Sequence, residues 1–226
     1  MIWQGGTGLP VRIPAGGKAL EGDLELPENP VGLVLFAHGS GSSRLSSRNQ
    51  RVARMLRDAD LGTCLVDLLT AEEDRSRTQR FNIEFLTERL VRITEWLRGV
   101  ILPEGLRLGT FGASTGAAAA LRASVGPRGT VSAIVCRGGR PDLAGDALPR
   151  VEAPTLLIVG GNDEPVTSLN IDAYARIQAP KEIAVIPGAS HLFEEPGALE
   201  QVGRLAAGWF RRFLPIPPPE DPGMVQ

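Results

Sequence analysis

The feature that most limits the fold is a rhythm. Strand-length apolar runs at 31–38, 62–68, 107–112, 131–136, 155–159 and 182–186 alternate with stretches of helical periodicity. The runs are nearly continuous rather than alternating polar and apolar, as strands are when helices cover both faces of a parallel sheet. The clearest helix spans about 82–98, where Leu86, Leu90, Ile93 and Leu97 fall on one stripe and Gly99 and Pro103 supply the stop. A last helix carries Leu199, Val202, Ala206, Trp209 and Phe213 on one face, with Pro196 suited to its first turn and Pro215 ending it. The opening differs: apolar runs at 11–13 and 20–26 flank Gly16-Gly17, the pattern of an antiparallel hairpin at a sheet edge. This order predicts a three-layer α/β domain over 1–214, with a mostly parallel sheet and an antiparallel N-terminal edge. A proline-rich tail follows at 215–226. In such sheets ligands bind at the carboxyl ends of the strands.

Composition narrows the partners. The chain of 226 residues is 42% hydrophobic and 22% charged, ordinary values for a soluble globular protein with a real core. Twenty-six acids against 24 bases give a net charge of −2, which argues against nucleic acid or an anionic membrane as a partner. No apolar run approaches the roughly 18 residues of a membrane span. Residues 1–10 are glycine-rich and lack the basic and apolar regions of a signal peptide. The expectation is a cytoplasmic monomer or homodimer. Arg44, Arg48, Arg51, Arg54 and Arg57 recur at helical spacing and read as a solvated helix face.

Scarcity locates the chemistry. There are two histidines, His38 and His191, and two cysteines, Cys64 and Cys136. None shows CxxC or HxxxH spacing, so no metal or other cofactor is expected. Both cysteines fall within strand runs and read as buried, small apolar residues.

Residues 108–117, LGTFGASTGA, fit G-x-S-x-G between a strand and an alanine-rich helix. A serine on so sharp a strand-to-helix turn takes strained backbone angles, and Gly112 and Gly116 remove the side chains that would clash there. The turn lifts the Ser114 hydroxyl above the sheet and aims the Thr115 N–H at the same space, with helix potential behind it. A nucleophilic serine needs a base, and only His38 and His191 are available. His191 lies in a loop after the run 182–186; His38 ends its own strand in a glycine-rich turn. The third member is a carboxylate that orients the imidazole. Asp163, after the run 155–159 and beside Gly160 and Gly161, is preferred to Asp142, which follows the preceding strand. Glu194 and Glu195 read as acids serving the dipole of the last helix.

In these segments the sequence resembles the α/β-hydrolase superfamily, and within it the small, lidless dienelactone hydrolase-like group. The resemblance rests on His38-Gly39-Ser40-Gly41, Gly112-Ala113-Ser114-Thr115-Gly116, Gly161-Asn162-Asp163 and Gly188-Ala189-Ser190-His191. It implies a triad of Ser114, Asp163 and His191, with His38 structural. It also implies that the Ser40 N–H joins Thr115 in the oxyanion hole, Gly41 being the less favoured donor. Dienelactone hydrolases proper carry cysteine at the elbow; Ser114 here points to an ester hydrolase with another substrate.

The connection after Cys136 is too short for a large cap domain, so the site is expected to be open. Arg137 and Arg140 read as surface arginines rather than substrate contacts. The expected function is a carboxylesterase-type serine hydrolase cleaving small or medium acyl esters through an acyl-enzyme. Amide or peptide hydrolysis and acyl transfer are alternatives with the same residues, and a non-catalytic binding module is a weaker one.

Overall fold

A computed structural model of the chain describes residues 8–102, 105–126 and 131–215. The tail expected at 215–226 lies, from residue 216 on, outside the described residues. In chain order the elements are β1 (Leu9–Ala15), β2 (Lys18–Glu25), β3 (Leu33–Ala37), α1 (Ser47–Arg57), β4 (Gly62–Val66), α2 (Arg77–Arg80), α3 (Ile83–Trp96) and β5 (Leu108–Ala113). They continue with α4 (Thr115–Ala123), β6 (Ala133–Arg137), β7 (Thr155–Gly160), α5 (Glu164–Arg176), β8 (Lys181–Ile186) and α6 (Ala198–Phe213).

The eight strands form one sheet in the order β1-β2-β4-β3-β5-β6-β7-β8. β1 and β2 pair antiparallel, as do β2 and β4; every other neighbouring pair is parallel. The hairpin closes over Gly16 and Gly17, both at positive φ, the backbone that a two-residue turn matched to strand twist requires. β1 runs longer than the expected 11–13 and includes Pro10 and Pro14, which an edge strand tolerates because it need not donate to a further neighbour.

Strand alternation sends side chains to two cores. Leu33, Leu35, Ala37, Ile134 and Cys136 pack under α3 and α4, while Val34, Phe36, Phe111 and Val135 pack under α1 and α6. Each fully buried Leu or Phe contributes roughly 1.5–3 kcal/mol. Cys64 and Cys136 are both buried, and loss of solvation pushes each thiol up to about 12. α3 starts where Asn82 caps the Phe85 amide, and it buries Leu86, Leu90 and Ile93 as the periodicity requires. Its regular turns stop at Trp96, and residues Leu97–Ile101 form a wider π turn. α6 begins at Ala198 behind Gly197, so Pro196 stands before its first turn. Between β6 and β7 the chain runs through 3-10 turns at Pro141–Arg150, with no inserted cap domain.

The arginine series is a solvated face only in part: Arg51 and Arg54 are exposed, while Arg44, Arg48 and Arg57 are half-buried. Arg44 pairs with Asp23 and Asp67, Arg48 with Glu194, Arg51 with Glu200 and Arg57 with Glu25. The partners come from β2, the residue after β4, the approach to α6 and the first turn of α6, which sequence spacing along one helix does not reveal. Among the described residues no helix is long and apolar enough to cross a membrane.

Candidate active site

The site is assembled at the carboxyl ends of β3, β5, β6, β7 and β8. Ser114 bridges β5 and α4 at φ 51°, ψ −122°, a backbone region that costs a non-glycine residue about 1–3 kcal/mol. Its surroundings hold it there: its N–H donates to Arg137 O at 3.3 Å, and its carbonyl accepts from Arg140 N at 3.0 Å and Ala117 N at 3.1 Å. The two motif glycines are needed for close approach. A Cβ on Gly112 would lie 2.5 Å from Ala117 Cα, and one on Gly116 would lie 2.1 Å from Ala37 O.

His191 and Asp163 come together from loops after β8 and β7. His191 Nδ1 lies 2.7 Å from Asp163 Oδ2; the aspartate side chain is mostly buried and the histidine more open. A carboxylate only accepts, so Nδ1 carries the proton and Nε2 is left as a base. Backbone bonds staple the two loops: Gly161 N to Ile186 O and Asn162 N to Ala189 O, both 2.9 Å. The Asn162 side chain adds a third tie to Gly188 O at 2.9 Å. Gly138, at the end of β6, sits against His191, since a Cβ there would lie 3.1 Å from His191 O and 3.5 Å from Nδ1. The β6 terminus thus touches both Ser114 and His191. Among the described residues no hydrogen bond joins Ser114 Oγ to His191 Nε2; such bonds are commonly long in unliganded sites and tighten with substrate.

His38 is differently employed. The residue is 6% exposed, with Nδ1 2.9 Å from Gly39 O and Nε2 accepting the Leu68 N–H at 3.0 Å. Both nitrogens are spent on backbone, and burial lowers its pKa below the usual histidine value. It therefore ties the Gly39 turn to the loop after β4. That turn passes close to Ser114: a Cβ on Gly39 would stand 2.9 Å from Ser114 Cβ. The next residue, Ser40, donates its N–H to Thr115 Oγ1 at 2.9 Å. The Thr115 N–H, first in α4, has no intrahelical partner and is one of the donors a helix start leaves free.

Asp142 is engaged elsewhere, held by Arg140 through Nε at 2.9 Å and Nη2 at 2.8 Å. Arg137 is not the surface arginine expected. It is 8% exposed beneath the His191 loop, its guanidinium 5.9 Å from the Phe193 ring centre, with Nε and Nη1 buried and unpartnered among the described residues. Burial, reinforced by the Arg48 charge, pulls its pKa down to about 10. Glu194 pairs with Arg48, and Glu195 accepts hydrogen bonds from Ser190 that hold its carboxyl below the usual range. Neither lies in the first turn of α6, where the acid is Glu200. Sequence reasoning missed Asn162, the Thr115 hydroxyl and the burial of Arg137. Only Asn162 left a signal, by standing next to the candidate acid.

No family model matches the chain. Among solved structures, a dienelactone hydrolase from Anabaena variabilis is 52% identical, with a TM-score of 0.89 over 92% of this chain and 98% of that one. An esterase domain from a Rhodothermus marinus protein shares the fold at 20% identity, with a TM-score of 0.74 over 92% of this chain and 100% of its own. A Mycobacterium tuberculosis protein provisionally named a phosphoribosyl transferase is 54% identical over 209 residues, 92% of this chain. The chain spans 47% of the length of that relative, about half.

Proposed function

The chain belongs to the dienelactone hydrolase-like group of the α/β-hydrolase superfamily, and on that premise we propose that it is a carboxylesterase-type serine hydrolase. The observation that carries the reading is the 2.7 Å contact between His191 Nδ1 and Asp163 Oδ2, found at the same end of the sheet as a serine held at positive φ on a strand-to-helix turn. In the proposed reaction Ser114 Oγ attacks the acyl carbon while His191 Nε2 takes the hydroxyl proton. Asp163 keeps the imidazole in the tautomer that can accept it and stabilises the imidazolium. The carbonyl oxygen gains the negative charge, and the Thr115 N–H at the start of α4 is one donor for it. Collapse breaks the bond to the alcohol, which leaves with the proton from His191. Water, activated by the same histidine, then hydrolyses the acyl-enzyme.

The absence of an inserted segment between β6 and β7 favours small or medium acyl esters that reach an open site. The phosphoribosyl transferase name belongs to a protein twice as long, and the residues gathered here are suited to attack on an acyl carbon. The test is turnover of p-nitrophenyl acetate by the protein and by Ser114→Ala, with thermal melts to check folding. Activity lost in a folded variant supports the proposal; full activity in that variant removes it. A parallel panel of esters, peptides and alcohol acceptors assigns the bond: faster peptide cleavage or acyl transfer would displace ester hydrolysis as the reaction.

A further inference from the structure

Thr115 follows the proposed nucleophile and has two donors of its own. Its backbone N–H is one; its hydroxyl is the other. The residue is 4% exposed, and Oγ1 accepts the Ser40 N–H at 2.9 Å. That single bond alters the donor set expected of the site, because the Ser40 N–H is already directed at Thr115 rather than at open space. A hydroxyl can accept and donate at once. With one lone pair filled by Ser40, the hydroxyl hydrogen of Thr115 remains, and among the described residues it finds no acceptor. A buried hydroxyl with an unspent hydrogen, next to a nucleophile, is unusual, because buried polar groups ordinarily satisfy their hydrogen bonds.

We propose that the Thr115 hydroxyl is an oxyanion donor, taking the place of the Ser40 N–H, which instead orients and polarises it. This rests on the serine-hydrolase reading above. As Ser114 Oγ bonds to the acyl carbon, the carbonyl π pair moves onto oxygen. The Thr115 N–H and Oγ1–H both hydrogen-bond to that oxygen, and no proton is transferred. Donation runs in one direction, from Ser40 N–H to Thr115 Oγ1 and from Oγ1–H to the oxyanion, so each bond strengthens the next. The branched Cβ of threonine limits rotation of χ1, so the hydroxyl is held in place before substrate arrives. Ser40 becomes a positioning residue and Thr115 a catalytic one.

The experiment compares the protein with Thr115→Val, Thr115→Ala, Thr115→Ser and Ser114→Ala on p-nitrophenyl acetate, each checked by thermal melt. Thr115→Val keeps the branched shape and loses the hydroxyl; Thr115→Ser keeps the hydroxyl. Losing one oxyanion donor lowers kcat by about 10²–10³-fold, so Val and Ala are expected to fall by about that factor with KM little changed. Ser is expected to recover kcat to within about tenfold of the parent. The affinity for an alkylboronic acid, which becomes tetrahedral on the serine, should weaken in Val and Ala and recover in Ser. A folded Val or Ala variant with kcat within threefold of the parent, or above it, overturns the inference. A higher kcat would mean that the hydroxyl obstructs the Ser40 donor. If Ser114→Ala retains turnover, the serine-hydrolase reading fails, and this inference with it. If Ser114→Ala is inactive while Thr115→Val is unimpaired, only the inference fails.

Discussion

Gly116→Ala puts the fold and the site to one test. The added Cβ would lie 2.1 Å from Ala37 O and 2.6 Å from His38 O, both backbone atoms at the end of β3. Ordinary contact begins near 3.4 Å, so the first distance is short by 1.3 Å. No side chain can rotate to relieve it; α4 must move away from the sheet by about that amount. Overpacking of this kind costs about 3 kcal/mol. For a chain of this length that lowers Tm by roughly 6–12 °C. The displaced helix also carries Thr115 and anchors Ser114, and a misplacement near 1 Å costs about 10²-fold in rate. Gly208→Ala is the control: it lies within α6 with nothing inside 4 Å of the new Cβ. It should stabilise by about 0.5–1 kcal/mol, because alanine loses less backbone freedom on folding. Differential scanning calorimetry and p-nitrophenyl acetate turnover read both effects. If Gly116→Ala melts and turns over like the parent, α4 does not pack against β3 as described, and the elbow argument fails with it.

Three further outcomes follow from the same geometry. Asp163→Asn should lower kcat about 10³–10⁴-fold with little change in Tm, since an amide can hold the imidazole in the wrong tautomer; steady-state kinetics giving less than a tenfold loss would contradict the assigned acid. His38 is neutral and buried with its pKa below the ordinary 6.5. The unfolded chain therefore binds a proton there that the native state does not, and stability falls as pH drops below 6.5, by up to about 1.4 kcal/mol per pH unit. Urea denaturation between pH 7.5 and 5.5 should show a slope that is weaker in His38→Gln, and equal slopes would refute it. Arg137→Met removes a buried charge whose Nε and Nη1 have no hydrogen-bond partner among the described residues and should raise stability by about 1–2 kcal/mol; a thermal melt showing a comparable loss would mean that the guanidinium is compensated in the folded protein.

What could be read in the sequence was what local pattern controls. The apolar continuity of β3, β5 and β7 foretold their burial on both faces, and Gly16-Gly17 foretold the hairpin, because two consecutive positive φ angles need glycine. The serine elbow was legible for the same reason: its glycines mark close approach within one short segment. Other features depend on partners distant in sequence. The pairing of α1 arginines with acids near α6 joins residues about 150 positions apart. Arg137 gave no sign of burial, since a strand-end arginine in a chain with 22 of them has no local mark that separates core from surface. The Ser40 to Thr115 bond spans 75 residues and depends on a single hydroxyl rotamer. A motif can place the backbone donors of such a site, but not the side chain that occupies one of them.

The proposed chemistry stands or falls on Ser114 as an activated nucleophile. The most direct measurement is labelling of the folded protein with a fluorophosphonate probe, followed by mass-spectrometric mapping of the adduct. The expected result is one stoichiometric adduct on Ser114, lost in Ser114→Ala and strongly slowed in Asp163→Asn. A folded protein that takes no label, or takes it on another residue, would contradict it.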